Sequence, residues 1–257
     1  MFTFLTFNIR YDCGQDGNNN FCYRKPLIQE KLTSEKPDIC CFQEVLPSQF
    51  DWLEEILPKY TVVGVGRKEK MEGEGIAVAV KKERFHLIEL EPFWLSRTPN
   101  MPGSRYEIQS SCPRVTQSVL LKDREDGHFL RVINTHFDHM YAETRQLEFR
   151  QITAKIADES LCGDAPMIFC GDLNCEPCDH ETVEFMTEHP DLKNASVDVG
   201  KTSHEFGRFD DEDAYTQIDY IFIRGLESIK CIKWTDCRDG VFLSDHYPVV
   251  ASLEYID

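Results

Sequence analysis

Short apolar runs recur along nearly the whole chain, and they restrict its fold more than any other feature. Eleven of them, each four to seven residues long, occupy 3–9, 38–42, 60–65, 75–80, 85–90, 116–121, 129–134, 167–170, 218–223, 229–234 and 247–253. Their length and their β-branched and aromatic content mark them as strands. Helical spacing is confined to four segments. In 47–57 it puts Phe50, Leu53, Ile56 and Leu57 on one face, with Pro58 closing the helix. In 142–161 the apolar positions Leu147, Phe149, Ile152, Ile156 and Ala157 recur among charged residues. Segments 25–35 and 181–188 are shorter candidates. Many strands with a few helices between them predict an α/β fold of sheet layers flanked by helices. No linker rich in Pro, Gly or Ser interrupts the 257 residues, so one domain covering 1–257 is expected.

Charge narrows the partners. Forty-five acids against 28 Lys and Arg give a formal charge of −17. Nucleic-acid binders draw much of their affinity from phosphate neutralisation by a basic surface, so this balance disfavours long nucleic acid as a partner. It leaves open a phosphate ester held through a divalent cation. No stretch approaches the roughly 20 apolar residues of a membrane helix, so no membrane insertion is expected. Residues 1–7 lack a basic leader and read as a first strand, which makes the cytoplasm the expected location. Among eleven cysteines, Cys40, Cys41 and Cys170 fall inside apolar runs and read as buried free thiols. Cys175 and Cys178 have the spacing of half a zinc site, with no second half at compatible spacing. Oligomeric state is not readable from these features.

Polar groups stand at the ends of four runs and inside a fifth. Asn8 follows Leu5-Thr6-Phe7, Glu44 follows 39–43, His136 follows 130–135, and Asp172 and Asn174 follow 167–170. A turn explains Asn8 or Asp172 taken alone, a helix cap explains Glu44, and a satisfied core or surface histidine explains His136. Asp219 differs, because it sits within Gln217-Ile218-Asp219-Tyr220-Ile221-Phe222 and a buried carboxylate without a partner is costly. A histidine suits it, and Ser244-Asp245-His246 offers one that titrates near neutral pH. Phe7-Asn8-Ile9-Arg10 and Asn134-Thr135-His136-Phe137 also echo each other, as do Gln43-Glu44 and Gly171-Asp172-Leu173-Asn174. The echo suggests two halves whose strand ends face one cleft.

The ordered set Thr6-Phe7-Asn8, Gln43-Glu44, Asn134-Thr135-His136, Gly171-Asp172-Leu173-Asn174, Ile218-Asp219-Tyr220 and Ser244-Asp245-His246 resembles the endonuclease/exonuclease/phosphatase superfamily, the DNase I-like fold. That resemblance implies a four-layer α/β sandwich, with two mostly antiparallel sheets packed face to face and helices outside. It implies a metal-dependent phosphoric ester hydrolase. Its ion is Mg²⁺ or possibly Mn²⁺, held chiefly by Glu44 with Asn8 nearby and in some relatives by Asp245; an all-oxygen shell suits either. It implies that His246, aligned by Asp219, takes a proton from the attacking water. Asp172 and Asn174 would orient that water or the leaving oxygen, and His136 would donate to a phosphoryl oxygen. A histidine rather than a tyrosine at 136 places the chain nearer the phosphodiesterase, sphingomyelinase and deadenylase branches than exonuclease III. Segments 93–96, 112–115 and 135–139 look like a compact bacterial-type subgroup.

Substrate is the open question. Arg114, just before a strand, is expected to contact phosphate through its planar fork, unless it is a surface arginine in an ion pair. Loop 11–24 and the acidic loop 202–213, with His204, are candidates for the specificity rim. Asp138 and His139 either line the pocket or cap the long helix. A small or short substrate (sugar phosphate, lipid head group, short nucleotide) fits the charge. A nuclease or deadenylase acting on DNA or RNA fits the motifs but lacks a basic channel. An inactive binding scaffold would require loss of a metal or base residue, and all are present. The choice between mono- and diester is not legible.

Overall fold

Two-residue alternation sets the layers. In the computed structural model, which describes residues 1–158, 160, 162–208 and 217–256, the first half holds β1 (Phe2–Asn8), α1 (Phe21–Glu35), β2 (Ile39–Val45), α2 (Pro47–Ile56), β3 (Tyr60–Gly66), β4 (Gly75–Lys81) and β5 (Phe85–Trp94). The second holds β6 (Val115–Asp123), β7 (Phe129–His136), α3 (Ala142–Ile156), β8 (Met167–Asp172), α4 (His180–Glu188), β9 (Lys193–Asn194) and β10 (Asp219–Arg224). It closes with β11 (Leu226–Lys233), β12 (Cys237–Arg238), β13 (Val241–Phe242) and β14 (Val249–Tyr255). Two six-stranded sheets result, ordered β11-β14-β1-β2-β4-β3 and β5-β6-β7-β8-β10-β9.

Each sheet is antiparallel except for one central pair, β1 with β2 and β7 with β8. Parallel neighbours need a crossover, and α1 and α3 supply it. Along β1, Phe2 and Phe4 face the opposite sheet, while Leu5 and Phe7 face α1 and α2. Along β8, Ile168 and Cys170 face inward, while Met167 and Phe169 meet α3 and α4. The result is four layers, helices–sheet–sheet–helices, with a central apolar core between the sheets.

All eleven predicted runs form strands. The run at 85–90 continues to Trp94 through a bulge between Leu87 and Glu89; Pro92 is tolerated because β5 is an edge strand. The last run starts at Val249 rather than Tyr247, because the Tyr247 N–H bonds to Thr202 O and Pro248 has none to give. The helix expected over 142–161 ends at Ile156, and Leu161 lies outside the described residues. The helix expected from 25 begins at Phe21. Strands β9, β12 and β13 are two residues each, too short to leave an apolar pattern. The cysteines are free thiols, with Cys40, Cys41 and Cys170 buried. Among the described residues no helix is long and apolar enough to cross a membrane.

Candidate active site

On five adjacent strands the inward-facing register changes from apolar to polar at the same end of the sandwich. It reads Phe2-Phe4-Thr6-Asn8 on β1, Ile39-Cys41-Gln43 on β2 and Leu130-Val132-Asn134-His136 on β7. On β8 it reads Ile168-Cys170-Asp172, and on β10, running the opposite way, Ile223-Ile221-Asp219. A hydrogen-bonded plate separates core from cleft. Gln43 Nε2 donates to Thr6 Oγ1 (3.1 Å) and across the sandwich to Asn134 Oδ1 (2.7 Å), while Asn134 Nδ2 donates to the carbonyls of Phe42 and Ala77. Buried polar groups tied in this way fix the two sheets against each other. Above the plate lies a cleft of about 380 Å³.

Glu44 reaches the cleft through a backbone irregularity. Strict alternation would send it outward with Phe42, but the β2–β4 register shifts between Gln43 and Val45 and Glu44 adopts φ +60°. Such a bulge re-aims a side chain, at the cost of a left-handed conformation that a non-glycine residue rarely takes. Glu44 Oε2 accepts the Tyr11 N–H (3.1 Å), and Oε1 accepts from Asn8 Nδ2 (3.2 Å). Asn8 lies under the floor, its Nδ2 also donating to Asp172 Oδ2 (2.9 Å) and its Oδ1 held by the Arg10 N–H (3.0 Å). Its amide thus turns nitrogen, not oxygen, to the carboxylates. Asp245 faces Arg10 Nη1 at 3.4 Å, and burial followed by the charge of Glu44 pushes its carboxyl pKa up against the pull of His246 and Arg10.

The second group centres on Asp172. It stands directly across the ladder from Asp219, so two buried carboxylates oppose each other. The imidazole of His246 lies against both. Its Nδ1 donates to Asp219 Oδ2 (2.8 Å), and its Nε2 lies 3.8 Å from Asp172 Oδ2. His136 Nε2 approaches the same oxygen at 3.5 Å, and Asp172 Oδ1 accepts the Asn174 N–H (3.0 Å). Burial penalises the His246 cation, but the charges of Asp219 and Asp172 and the Asp219 hydrogen bond outweigh it and raise its pKa well above the ordinary value. Burial pushes Asp172 up to about 7, with His246 pulling down and Asp219 pushing further up. Burial and then the charges of Arg114 and Arg67 lower His136 well below its usual range, which keeps it neutral. Thr202 pins the Asp219–His246 pair: its Oγ1 accepts the N–H groups of Ile218 and Asp219, and its carbonyl accepts from Tyr247. Nothing in the sequence pattern singled out Thr202.

The cleft wall also carries arginines, which overall charge concealed. Arg10, Arg67 and Arg114 line it, with His139 and Glu74. Arg67, from the β3–β4 hairpin, pairs with Glu74, and its carbonyl accepts from Trp94 Nε1. Glu74 is pushed up by burial and by Glu44. His139 lines the cleft, whereas Asp138 caps the turn into α3 by accepting the Met140 and Tyr141 N–H groups, so the two residues divide the alternatives between them. Tyr11 brings loop 11–24 to the rim. His204 is buried beneath the rim, its ring stacked on Tyr247 at 3.8 Å, while its neighbours Ser203 and Glu205 form the wall. The rest of that acidic loop, 209–213, lies outside the described residues. Of the half zinc site, Cys175 is buried against Thr182 Oγ1 and Cys178 is exposed.

The donor set suits a divalent cation. Glu44, Asp172 and Asp245 line one cleft, and burial, with the neighbouring carboxylates adding to it, raises the pKa of the two buried members. Ligand atoms of Asp172, Asp219 and His246 also converge within 4.8 Å. In that group His246 Nδ1 and Asp219 Oδ2 are already bonded to each other, whereas Glu44 and Asp245 have no histidine partner and take donors from Tyr11, Asn8, Ser244 and Arg10.

The chain matches the Endonuclease/Exonuclease/phosphatase family over residues 5–246. The endonuclease/exonuclease/phosphatase of Bacteroides vulgatus superposes with a TM-score of 0.91 at 31% identity, covering 99% of both chains. A mannosyl-6-phosphatase of Bacteroides thetaiotaomicron superposes with a TM-score of 0.87 at 23% identity, covering 99% of this chain and 100% of that one. Among sequences, bovine Tyrosyl-DNA phosphodiesterase 2 is 26% identical over 289 residues, spanning 100% of this chain and 68% of that protein. With two facing six-stranded sheets and a carboxylate–histidine cleft at their polar ends, the chain belongs to the Endonuclease/Exonuclease/phosphatase family and is a phosphoric ester hydrolase.

Proposed function

We propose that this hydrolase is Mg²⁺-dependent and acts on a small or short phosphate ester by direct attack of water. The observation that carries this reading is the convergence of Glu44, Asp172, Asp245 and His246 on one cleft of about 380 Å³. A pocket of that size is near the lower end of ordinary ligand sites, suited to a phosphoryl group and one ring. The fold is shared by a mannosyl-6-phosphatase, so it accommodates a small phosphorylated substrate.

Glu44 and Asp245 would hold the ion, with Asn8 reaching it only if its amide turned over. When bound, the ion would polarise a non-bridging phosphoryl oxygen and supply the positive charge the carboxylates lack, easing the proton off His246. The attacking water gives its proton to His246 Nε2, the ring nitrogen left free because Nδ1 is bonded to Asp219. Both Asp172 oxygens already accept donors, which suits it to orienting the water rather than taking its proton. His136, kept neutral, donates to the phosphoryl oxygen where charge grows.

Release of p-nitrophenol from p-nitrophenyl phosphate and bis-p-nitrophenyl phosphate tests this reading. Turnover of at least one ester should require Mg²⁺ and stop on chelation with EDTA. Undiminished turnover in EDTA, or none of either ester with Mg²⁺ or Mn²⁺, would sink it.

A further inference from the structure

Five arginines are buried in this protein, and four have their guanidinium groups fully engaged. Arg24 donates to four backbone carbonyls, of Ile9, Arg10, Asn19 and Leu243. Arg84 pairs with Asp123, Arg131 with Glu89, and Arg145 with Glu181. Arg114 is the exception. It is 3% exposed, yet among the described residues no carboxylate lies within ion-pair distance. Its one hydrogen bond is from Nη2 to His139 Nδ1 (3.0 Å), a neutral acceptor, and its Nε has no partner. Glu74, already paired with Arg67, and the buried Glu148 act on it only through space, so the buried fork keeps hydrogen-bonding capacity that an anion would fill.

Its position says which anion. Arg114 shares a recess of the cleft with His136, Arg67 and Glu74, the last two paired with each other, and His136 in turn lies 3.5 Å from Asp172. The unpaired charge therefore flanks the group assigned to the phosphoryl oxygens, not a remote part of the substrate. Arg67 cannot stand in for it, because Glu74 already neutralises Arg67. A phosphodiester has two non-bridging oxygens, for which the ion held by Glu44 and Asp245 and the His136 donor suffice. A phosphomonoester has a third, and a second negative charge.

Resting on the phosphoesterase reading above, we propose that Arg114 binds the third non-bridging oxygen of a phosphomonoester, making a small phosphomonoester dianion the preferred substrate. A diester would set an uncharged alkoxy group against a buried guanidinium and leave that capacity unfilled. In the reaction the water oxygen forms a bond to phosphorus as the bond to the ester oxygen breaks. The proton taken by His246 returns to the departing oxygen, giving an alcohol and inorganic phosphate.

The test compares kcat/KM for p-nitrophenyl phosphate and bis-p-nitrophenyl phosphate in wild type, Arg114→Ala and Arg114→Lys, all with Mg²⁺. Loss of a charged hydrogen bond to a desolvated anion should lower monoester turnover by about 30-fold or more, and diester turnover by under about 5-fold. Arg114→Lys keeps the charge and the buried stem, so it guards against misfolding, and it should lose most of the same selectivity because it lacks the fork. Inorganic phosphate, read as a competitive inhibitor and as a shift in melting temperature, should bind wild type and lose about 30-fold in affinity in both variants. An unchanged monoester-to-diester ratio would overturn the proposal while leaving the phosphoesterase intact. So would a loss confined to a sugar bisphosphate with p-nitrophenyl phosphate untouched, which would put Arg114 on a remote anion. Failure of wild type on both esters would instead remove the reading beneath it.

Discussion

The β1–α1–β2 and β7–α3–β8 units solve one topological problem in two chemical ways. Each joins a central parallel pair through a helix, and each carries its inward register from apolar to polar at the cleft. The first unit ends in a bulge that throws Glu44, half-buried and left-handed, toward solvent-accessible space. The second ends flush. Asp172 stays in the ladder, 2% exposed, with histidines on two sides and Asp219 opposite. A carboxylate held at the open side by a strained backbone can meet an incoming cation. One sunk among imidazoles and opposite a second carboxylate, with both oxygens accepting hydrogen bonds and burial pushing its pKa up to about 7, is suited to orienting a water beside His246. Equivalent strands thus serve different chemistry according to whether the last residue leaves the ladder or remains in it.

The largest effect should come from the joint between the two strands of the second unit. Gly171 has φ +136°, and a Cβ there would lie 2.0 Å from Thr135 O. Gly171→Ala must therefore part β7 from β8 beside Asp172, costing on the order of 4 kcal/mol or more. A normal melting curve and circular dichroism spectrum for the variant would refute the tight approach. Glu44→Ala and His246→Ala come next, and they divide the two units. Both should lose roughly 10³-fold in kcat. Only Glu44→Ala should also lose the rise in melting temperature that Mg²⁺ gives the wild type, while His246→Ala keeps it. Equal loss of the Mg²⁺ shift in both would mean the cation sits on Asp172, Asp219 and His246 instead. Thr202→Val should be milder, about 10-fold in kcat with KM little changed, since it loosens the Asp219–His246 pair without touching substrate. A KM effect alone would show that the pair is held by other contacts.

The central apolar runs were legible because β1, β2, β4, β7, β8 and β10 pack on two sides, so composition alone marks them. The edge strands β5 and β11 show through exposed apolar residues such as Ile88 and Ile229. The carboxylates and histidines at their ends were legible because burial makes an unpartnered charge conspicuous, Asp219 most of all. What escaped was whatever depends on tertiary proximity. Arg67 and Glu74 sit at opposite ends of a hairpin loop and meet only when it closes, and Thr202 matters only because residues 218, 219 and 247 fold onto it. His204 sits in an acidic loop that read as part of the specificity rim, but its ring is covered by Tyr247 and Phe242. The two-residue polar switch was present in the sequence all along. Reading β2 and β7 at every second position would have drawn Gln43 and Asn134 into the site's supporting plate.

A smaller effect reaches the second unit from behind. Glu148 of α3 is fully buried, and its Oε2 accepts the Asp138 N–H (2.9 Å) while Oε1 has no partner. Burial raises its pKa from 4.5 to about 8, with the Asp138 N–H and Arg114 pulling the other way. Between those two values the folded protein binds a proton that the unfolded chain has released, so stability is fully present below the lower one and declines as pH rises toward the upper one. Glu148→Gln keeps an oxygen for Asp138 and removes the titration. Wild type and variant should melt together near pH 4 and diverge upward, with the variant more stable at pH 9 by on the order of 3 kcal/mol. The first unit has no such buried acid: Glu30 and Glu35 of α1 are exposed. Parallel profiles for wild type and Glu148→Gln would mean that Glu148 keeps its charge in the fold, and that the second unit stores no proton behind its active face.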